Sequence, residues 1–309
     1  MTTRTRVLVN SKAGVERRDD IQARVARAFA DHGLDTEIVV FRDGTELARE
    51  ARRAVDEGCG ALVAGGGDGT IGCVASVVAG TQTTLGVLPL GTLNHFAKDL
   101  GIPLKLDDAV GVIAAGHVHR VDVGEVNGCV FVNNSSIGLY PTIVVEREQQ
   151  QRLGKRKWSA FARALFTVIG RYPLIRVSVR ADGVPKVRKT PLVFVGNNSY
   201  EIHGLKLGTR RRLDAGRLSV YLTRDVGRWT LFGFALRALV GRLREHKDFE
   251  EVETSEVSIR TMHRRMRVAA DGEVTDLDTP LEYRIRPRAL RVFAPTPEKL
   301  DGPREAGNA

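Results

Sequence analysis

The sequence predicts an N-terminal doubly wound α/β domain, built around a Gly-Gly-Asp-Gly-Thr phosphate loop, and a C-terminal two-layer β-sandwich domain. Three observations carry this. Ala61-Leu62-Val63-Ala64 reads as a buried strand, Gly65 to Gly69 as a turn, and Thr70 to Val78 as a helix. Strand and helix patterns alternate around that segment as far as His119. Beyond His119 the helical period gives way to short alternating strands separated by turn residues.

A chain of 309 residues is long for a single core, which favours two domains. The expected division is 1–119 for the nucleotide-binding domain and 120–288 for the sandwich, with 289–297 as a strand returning to the first domain and 298–309 as a disordered tail. A composition of 42% hydrophobic and 27% charged residues is that of a soluble globular protein. Met1 to Arg6 leads directly into a strand, and no run of about 18 apolar residues occurs, so neither a signal peptide nor a spanning helix is expected. Cys59, Cys73 and Cys129 are odd in number and too scattered for a metal cluster, which fits a reducing cytoplasm. With 47 Lys and Arg against 37 Asp and Glu, the net charge of +10 favours polyanions. No helix-turn-helix, zinc or RNP-type signature accompanies that charge, so nucleotides and anionic lipid headgroups are expected rather than nucleic acid.

In chain order, Arg6 to Asn10 reads as a strand and Ser11 to Gly14 as its loop; Ile21 to His32, with Ile21, Val25, Ala28 and Phe29 at helical spacing, is a helix ended by Gly33. Thr36 to Phe41 is a strand, and Thr45 to Asp56 a helix closed by Gly58. After the glycine loop, Leu85 to Leu90 is a strand, and Gly91 to Leu100 repeats the passage from loop to helix before Gly101 and Pro103 stop it. A parallel sheet binds ligands at the carboxyl ends of its strands, so Asn10, Lys12 and both glycine loops are expected on one rim. Glycine allows close approach of backbone to an anion, and a helix start directs unpaired N–H groups at it. Asp68 would repel a phosphate unless Mg²⁺, or water bound to Mg²⁺, lies between them.

In the second domain, Val121 to Val126 and Cys129 to Val132 flank an Asn127-Gly128 turn of type I′. Further strands are expected at Leu174 to Val179, Pro191 to Val195, Leu218 to Leu222, Val257 to Ile259 and Met266 to Ala269, and a returning one at Leu290 to Pro295. Asp122 reads as a solvated carboxylate at a strand end, and Asp271-Gly272 as a hairpin turn. Two aromatic helices with basic edges, Trp158 to Ile169 and Arg228 to Leu243, suit an anionic membrane surface.

Asn10 to Gly14, Gly66 to Thr70 and Gly91 to Ala97 resemble, in order and spacing, three motifs of the bacterial lipid kinases of the diacylglycerol kinase family, among them sphingosine-kinase-like members. The resemblance implies ATP and Mg²⁺ as cofactors, with Asn10, Lys12, Gly14, Gly66, Gly67, Gly69, Thr70, Gly91, Thr92 and Asn94 binding the nucleotide and Asp68 organising the water shell of the metal. It places a catalytic Asp-Gly-Glu at Asp271 to Glu273 and leaves open which carboxylate is the base. It also implies a structural metal at Leu213 to Gly216, where Asp214 remains of two carboxylates, and turns Asp122 toward the phosphates. Ser11, Ala13 and His95 depart from the motifs. The implied function is ATP-dependent phosphoryl transfer to the hydroxyl of a membrane lipid, by a cytoplasmic protein peripheral at the inner membrane face. A homodimer is left open. The alternatives are an NAD kinase-like enzyme, whose glycine loop is similar, and a nucleotide- or lipid-binding protein without activity.

Overall fold

A computed structural model describes residues 4–11, 18–138, 175–181, 184–200, 202–203, 206–207, 210, 212–223 and 249–296. Lys12, Gly14, both aromatic helices and the tail from Glu298 lie outside the described residues. The chain forms two compact units, Met1–Val121 with Arg288–Ala309, and Asp122–Pro287.

The first unit runs β1 (Thr5–Asn10), α1 (Arg18–Asp31), β2 (Thr36–Phe41), α2 (Gly44–Asp56), β3 (Ala61–Gly66), α3 (Asp68–Val78), β4 (Thr84–Pro89), α4 (His95–Asp99) and α5 (Leu106–Ala115). The four strands are parallel in the order β2-β1-β3-β4, so the order reverses between β1 and β3. Ligands of such sheets bind outside the carboxyl ends at that reversal, and the glycine loop follows β3 directly. Strands covered on both faces should read as unbroken apolar runs. Val7, Leu8, Val9, Leu62, Val63, Ala64, Leu85 and Leu88 are accordingly all buried. Val292, near the end of the chain's last strand, pairs in parallel with Leu85 of β4.

The chain leaves this unit along β5 (Val118–Val126), continues through β6 (Cys129–Phe131), β7 (Asn134–Gly138), β8 (Ile175–Ala181), β9 (Val184–Thr190), β10 (Leu192–Asn197), the short pair β11 (Ile202–His203) and β12 (Lys206–Leu207), β13 (Leu218–Thr223), β14 (Phe249–Thr254), β15 (Glu256–Thr261), β16 (Arg265–Ala270) and β17 (Glu273–Asp278), and returns along β18 (Leu281–Phe293). One antiparallel sheet of the second unit has the order β14-β13-β10-β7-β16-β17. The opposing layer pairs β18 with β15, β15 with β8 and β8 with β9. Ile137, Val193, Val195, Val220 and Val268 from the first layer meet Val177, Val179, Val257, Ile259 and Tyr283 from the second in one apolar core, the arrangement of a sandwich. Tyr283 packs edge-on to Phe131 with centroids 6.3 Å apart, and its buried hydroxyl meets Ser135 Oγ at 3.2 Å.

Candidate active site

In the first unit the expected residues Asn10, Gly66, Gly67, Gly91, Thr92 and Asn94 sit at the ends of β1 and β3 or in the loops after β3 and β4, and Asp68, Gly69 and Thr70 form the first turn of α3. The two glycine loops interlock. Leu90 N–H donates to Gly66 O at 3.0 Å, and a Cβ on Gly91 would collide with the Cα of Gly67. A Cβ on Gly66 would collide with the buried Thr70 side chain. Close backbone approach is therefore the reason for these glycines. Gly67 is the N-cap of α3 and no side chain caps that helix, so the N–H groups of its first turn retain the capacity to bind an anion.

Asn94 serves a different purpose from the one its motif implies. It is buried, adopts φ +52°, accepts from Gly91 N at 3.1 Å and donates to Gly91 O at 2.8 Å and Pro89 O at 3.2 Å. Its amide is committed to shaping the Gly91 loop, while Thr92 and His95 are exposed. Asp68 Oδ1 accepts from Phe96 N at 3.2 Å, which ties the two loops together from the other side. A carboxylate in the first turn of a helix that no side chain caps suits Mg²⁺, which is commonly held by one or two carboxylates and the substrate phosphates.

The second unit holds the other expected carboxylates. β16 and β17 are in register from Arg265↔Asp278 to Ala270↔Glu273, leaving the two-residue loop Asp271-Gly272 at φ +48° and +89°. Both positive angles belong to a type I′ turn, which Asp-Gly favours. Asp271 Oδ2 accepts from Val132 N at 2.7 Å, and Oδ1 from Asn133 N at 2.8 Å and Asn134 N at 3.2 Å. Asp271 N donates in turn to Asn134 O at 2.9 Å. The residue is half-buried with three amides on its carboxylate, and burial pushes its pKa up to about 6 against the opposing pull of those amides and of Arg210. Three of roughly four acceptor positions are occupied, which leaves one on Oδ2. Glu273, two residues on, is exposed at the start of β17.

One expectation needs correction, and a second concerns the same turn. Asp122 is fully buried rather than solvated: its Oδ2 accepts from Gly216 N at 2.6 Å, its N–H donates to Leu213 O at 2.7 Å, and its O accepts from Asn197 Nδ2 at 2.9 Å. It anchors the 213–216 turn. Asp214 on that turn receives the guanidinium of Arg212 at 3.1 Å, and among the described residues no three His, Cys, Asp or Glu side chains come together. The carboxylate that the resemblance assigns to a structural cation is thus held in an exposed ion pair, on a turn that the buried Asp122 carboxylate also meets.

Sequence reasoning missed the residues around Asp271: Asn133, Asn134, Asn197, Tyr200 and Arg210. The signal available was a pair of Asn-Asn doublets, Asn133-Asn134 at the start of β7 and Asn197-Asn198 at the end of β10, each following an apolar run.

The profile described as "Diacylglycerol kinase catalytic domain" matches residues 4–126, and "YegS C-terminal NAD kinase beta sandwich-like domain" matches 140–294. The chain belongs to the diacylglycerol kinase family. It is 25% identical over 301 residues to the diacylglycerol kinase of Staphylococcus aureus (strain Newman), covering 96% of this chain and 93% of that one. The match to the diacylglycerol kinase of Staphylococcus saprophyticus, 31% over 140 residues, covers 45% of this chain and 46% of that one. A crystal structure of a diacylglycerol kinase from Bacillus anthracis str. Sterne aligns with a TM-score of 0.72 at 23% identity over 95% of this chain and 98% of that one. A second crystal structure from that organism aligns at 0.75 with 24% identity, over 95% of this chain and 98% of its own. At these identities the structures establish likeness of fold. As a member of its family the chain is a lipid kinase.

Proposed function

We propose that the chain transfers the γ-phosphoryl group of ATP to the hydroxyl of a diacylglycerol-like or long-chain-base lipid at an anionic membrane surface. The observation that carries this reading is the half-buried Asp271 carboxylate, whose pKa near 6 suits it to accept a proton near neutrality while remaining ionised at pH 7. Asp271 Oδ2 takes the proton of the lipid hydroxyl as its oxygen bonds to the γ-phosphorus. The bond from that phosphorus to the β–γ bridging oxygen breaks, and ADP departs. The first turn of α3 and the Gly91 loop hold the phosphates through backbone N–H groups, with Asn94 fixing the loop. Asp68 would hold Mg²⁺, through water, and the metal would supply charge neutralisation for the transferring phosphoryl group. The net charge of +10 supports recruitment to anionic lipid, with the protein peripheral to the membrane. Among the described residues no helix is long and apolar enough to span one.

The test is transfer of radiolabelled γ-phosphate from ATP to vesicles made from a total lipid extract, with and without anionic lipid, at low and high salt. Labelled lipid is expected, with a rate that falls as salt rises or anionic lipid is withdrawn. Asp68→Ala should abolish Mg²⁺-dependent transfer at an unchanged unfolding temperature. Wild-type transfer by that variant overturns the metal role, and absence of labelled lipid from the wild type overturns the reading.

A further inference from the structure

A buried polar cluster adjoins the 132–134 segment, and the proposed phosphoryl transfer makes no use of it. Arg210 is 1% exposed; its Nη1 donates to Val132 O at 2.7 Å and Asn197 O at 2.9 Å, and its Nη2 to Asn133 Oδ1 at 2.9 Å. The guanidinium lies 5.3 Å from the centroid of the Tyr200 ring, and the Tyr200 hydroxyl donates to Asn133 O at 2.9 Å. Asn197 Nδ2 adds a second donor to Val132 O at 2.8 Å. Burying a guanidinium is costly, and the acceptors that this one meets point to a reason.

The carbonyls that receive these donors identify that reason. Val132 C=O shares a peptide unit with Asn133 N–H, and Asn133 C=O shares one with Asn134 N–H. Those two N–H groups are the ones that bond Asp271 Oδ1. The peptide is a resonant unit, so a donor on its oxygen draws electron density from its nitrogen and makes the N–H a stronger donor. Both chains therefore end on the same carboxylate oxygen. Oδ2 receives only Val132 N–H, from the peptide unit before them.

We propose that Arg210 and Tyr200 are positioning residues for Asp271, acting through the 132–133 and 133–134 peptide units to load Oδ1 and leave Oδ2 as the oxygen that takes the proton of the acceptor hydroxyl. This rests on Asp271 being the base. The 132–134 segment presents amides and the Asn133 side chain to the carboxylate's surroundings, the end of β10 contributes Asn197 and the loop after it Tyr200, and the stretch before β13 contributes Arg210. The hairpin itself carries the exposed Glu273. The positive charge of Arg210 already lowers the proton affinity of Asp271, so its loss should raise that affinity.

The experiment is a ¹³C-carboxylate NMR titration of Asp271 in the full chain, assigned against Asp271→Asn, together with the acid limb of kcat/KM for lipid phosphorylation. Wild type should titrate near pH 6. Arg210→Gln should raise the midpoint by about one pH unit or more, and Arg210→Lys by less. Tyr200→Phe keeps the ring under the guanidinium, deletes one donor, and should raise the midpoint by about a few tenths of a unit. The acid limb should follow in each variant, an effect that a purely structural role would not produce. Unmoved midpoints in the folded variants overturn the relay, and Tyr200→Phe alone decides if Arg210→Gln does not fold. A midpoint that moves while the acid limb stays fixed overturns the base reading and leaves the relay standing.

Discussion

The Asn127-Gly128 turn between β5 and β6 and the Asp271-Gly272 turn between β16 and β17 have nearly the same backbone, with φ of +45° and +86° in the first and +48° and +89° in the second. Each side chain also binds a distant stretch of backbone. The Asn127 amide donates to Asp278 O at 2.8 Å and Pro280 O at 3.2 Å and accepts from Glu282 N at 2.7 Å. Asp271 only accepts, from three successive amides. The neutral amide matches two acceptors and one donor at an exposed position and has nothing to titrate. The carboxylate is half-buried among neutral donors, so the same device becomes a proton acceptor tuned by burial. What separates a mechanical turn from a chemical one here is the ionisable group and its solvation, not the loop.

The largest expected effect breaks the pair apart by activity. Asp271→Asn should lower kcat by roughly 10²–10⁴-fold with little change in ATP affinity, because a positioned base contributes on that scale. Glu273→Gln, at an exposed position, should stay near wild type. Single-turnover phosphorylation of a short-chain diacylglycerol measures both. Loss in the Glu273 variant alone would move the base by two residues, and normal rates in both would reduce Asp271-Gly272 to the same mechanical role as Asn127-Gly128.

The turns were legible where one local rule decided them. Asn127-Gly128 announced a type I′ hairpin and Asp271-Gly272 a hairpin turn, and the strand, loop and helix from Ala61 to Val78 followed from an apolar run meeting glycines. β9, β14 and the extent of β17 were not legible. They read Val-Pro-Lys-Val-Arg-Lys-Thr, Phe-Glu-Glu-Val-Glu-Thr and Glu-Val-Thr-Asp-Leu-Asp, and each stands at the edge of its sheet order. Edge strands carry charge to resist pairing with other chains, so they look solvated. Only the end of β18 was anticipated, because Pro287 and alternating arginines break the apolar signal of a 13-residue strand. At the site, Arg210 lies in the run Arg210-Arg211-Arg212, and nothing local says which of three arginines is buried. Its burial depends on carbonyls at Val132 and Asn197, far away in the chain.

A second, smaller effect sharpens the contrast through pH. Folding raises the Asp271 pKa from an ordinary 3.8 to about 6, so between those values the folded chain binds more protons than the unfolded one. This group's contribution to stability is fully present below about pH 4 and is lost as pH rises through about 6, on the order of 3 kcal/mol at 1.36 kcal/mol per pH unit. The stability of wild type relative to Asp271→Asn, measured by urea unfolding, should therefore be greater at pH 4 than at pH 7. The difference between wild type and Asn127→Ala should be the same at both. A pH-independent difference for Asp271→Asn would mean that the carboxylate is solvated in the folded state.

The smallest effect isolates what the mechanical turn contributes. Asn127→Ala removes three hydrogen bonds at an exposed site and leaves a residue with a Cβ in the left-handed region; the first loss is worth about 1 kcal/mol net and the second about 1 kcal/mol. Asn127→Gly removes the same bonds but accepts the positive φ without strain, so it should lose only the first portion. Urea unfolding of the two variants at pH 7 should place glycine above alanine by about 1 kcal/mol, with kcat per folded molecule unchanged in both. Equal stabilities would show that the turn opens without its side chain and that the hydrogen bonds, not the dihedral angle, hold it. A fall in kcat in the folded glycine variant would break the comparison itself, because Asn127 would then be coupled to the chemistry that its backbone twin performs.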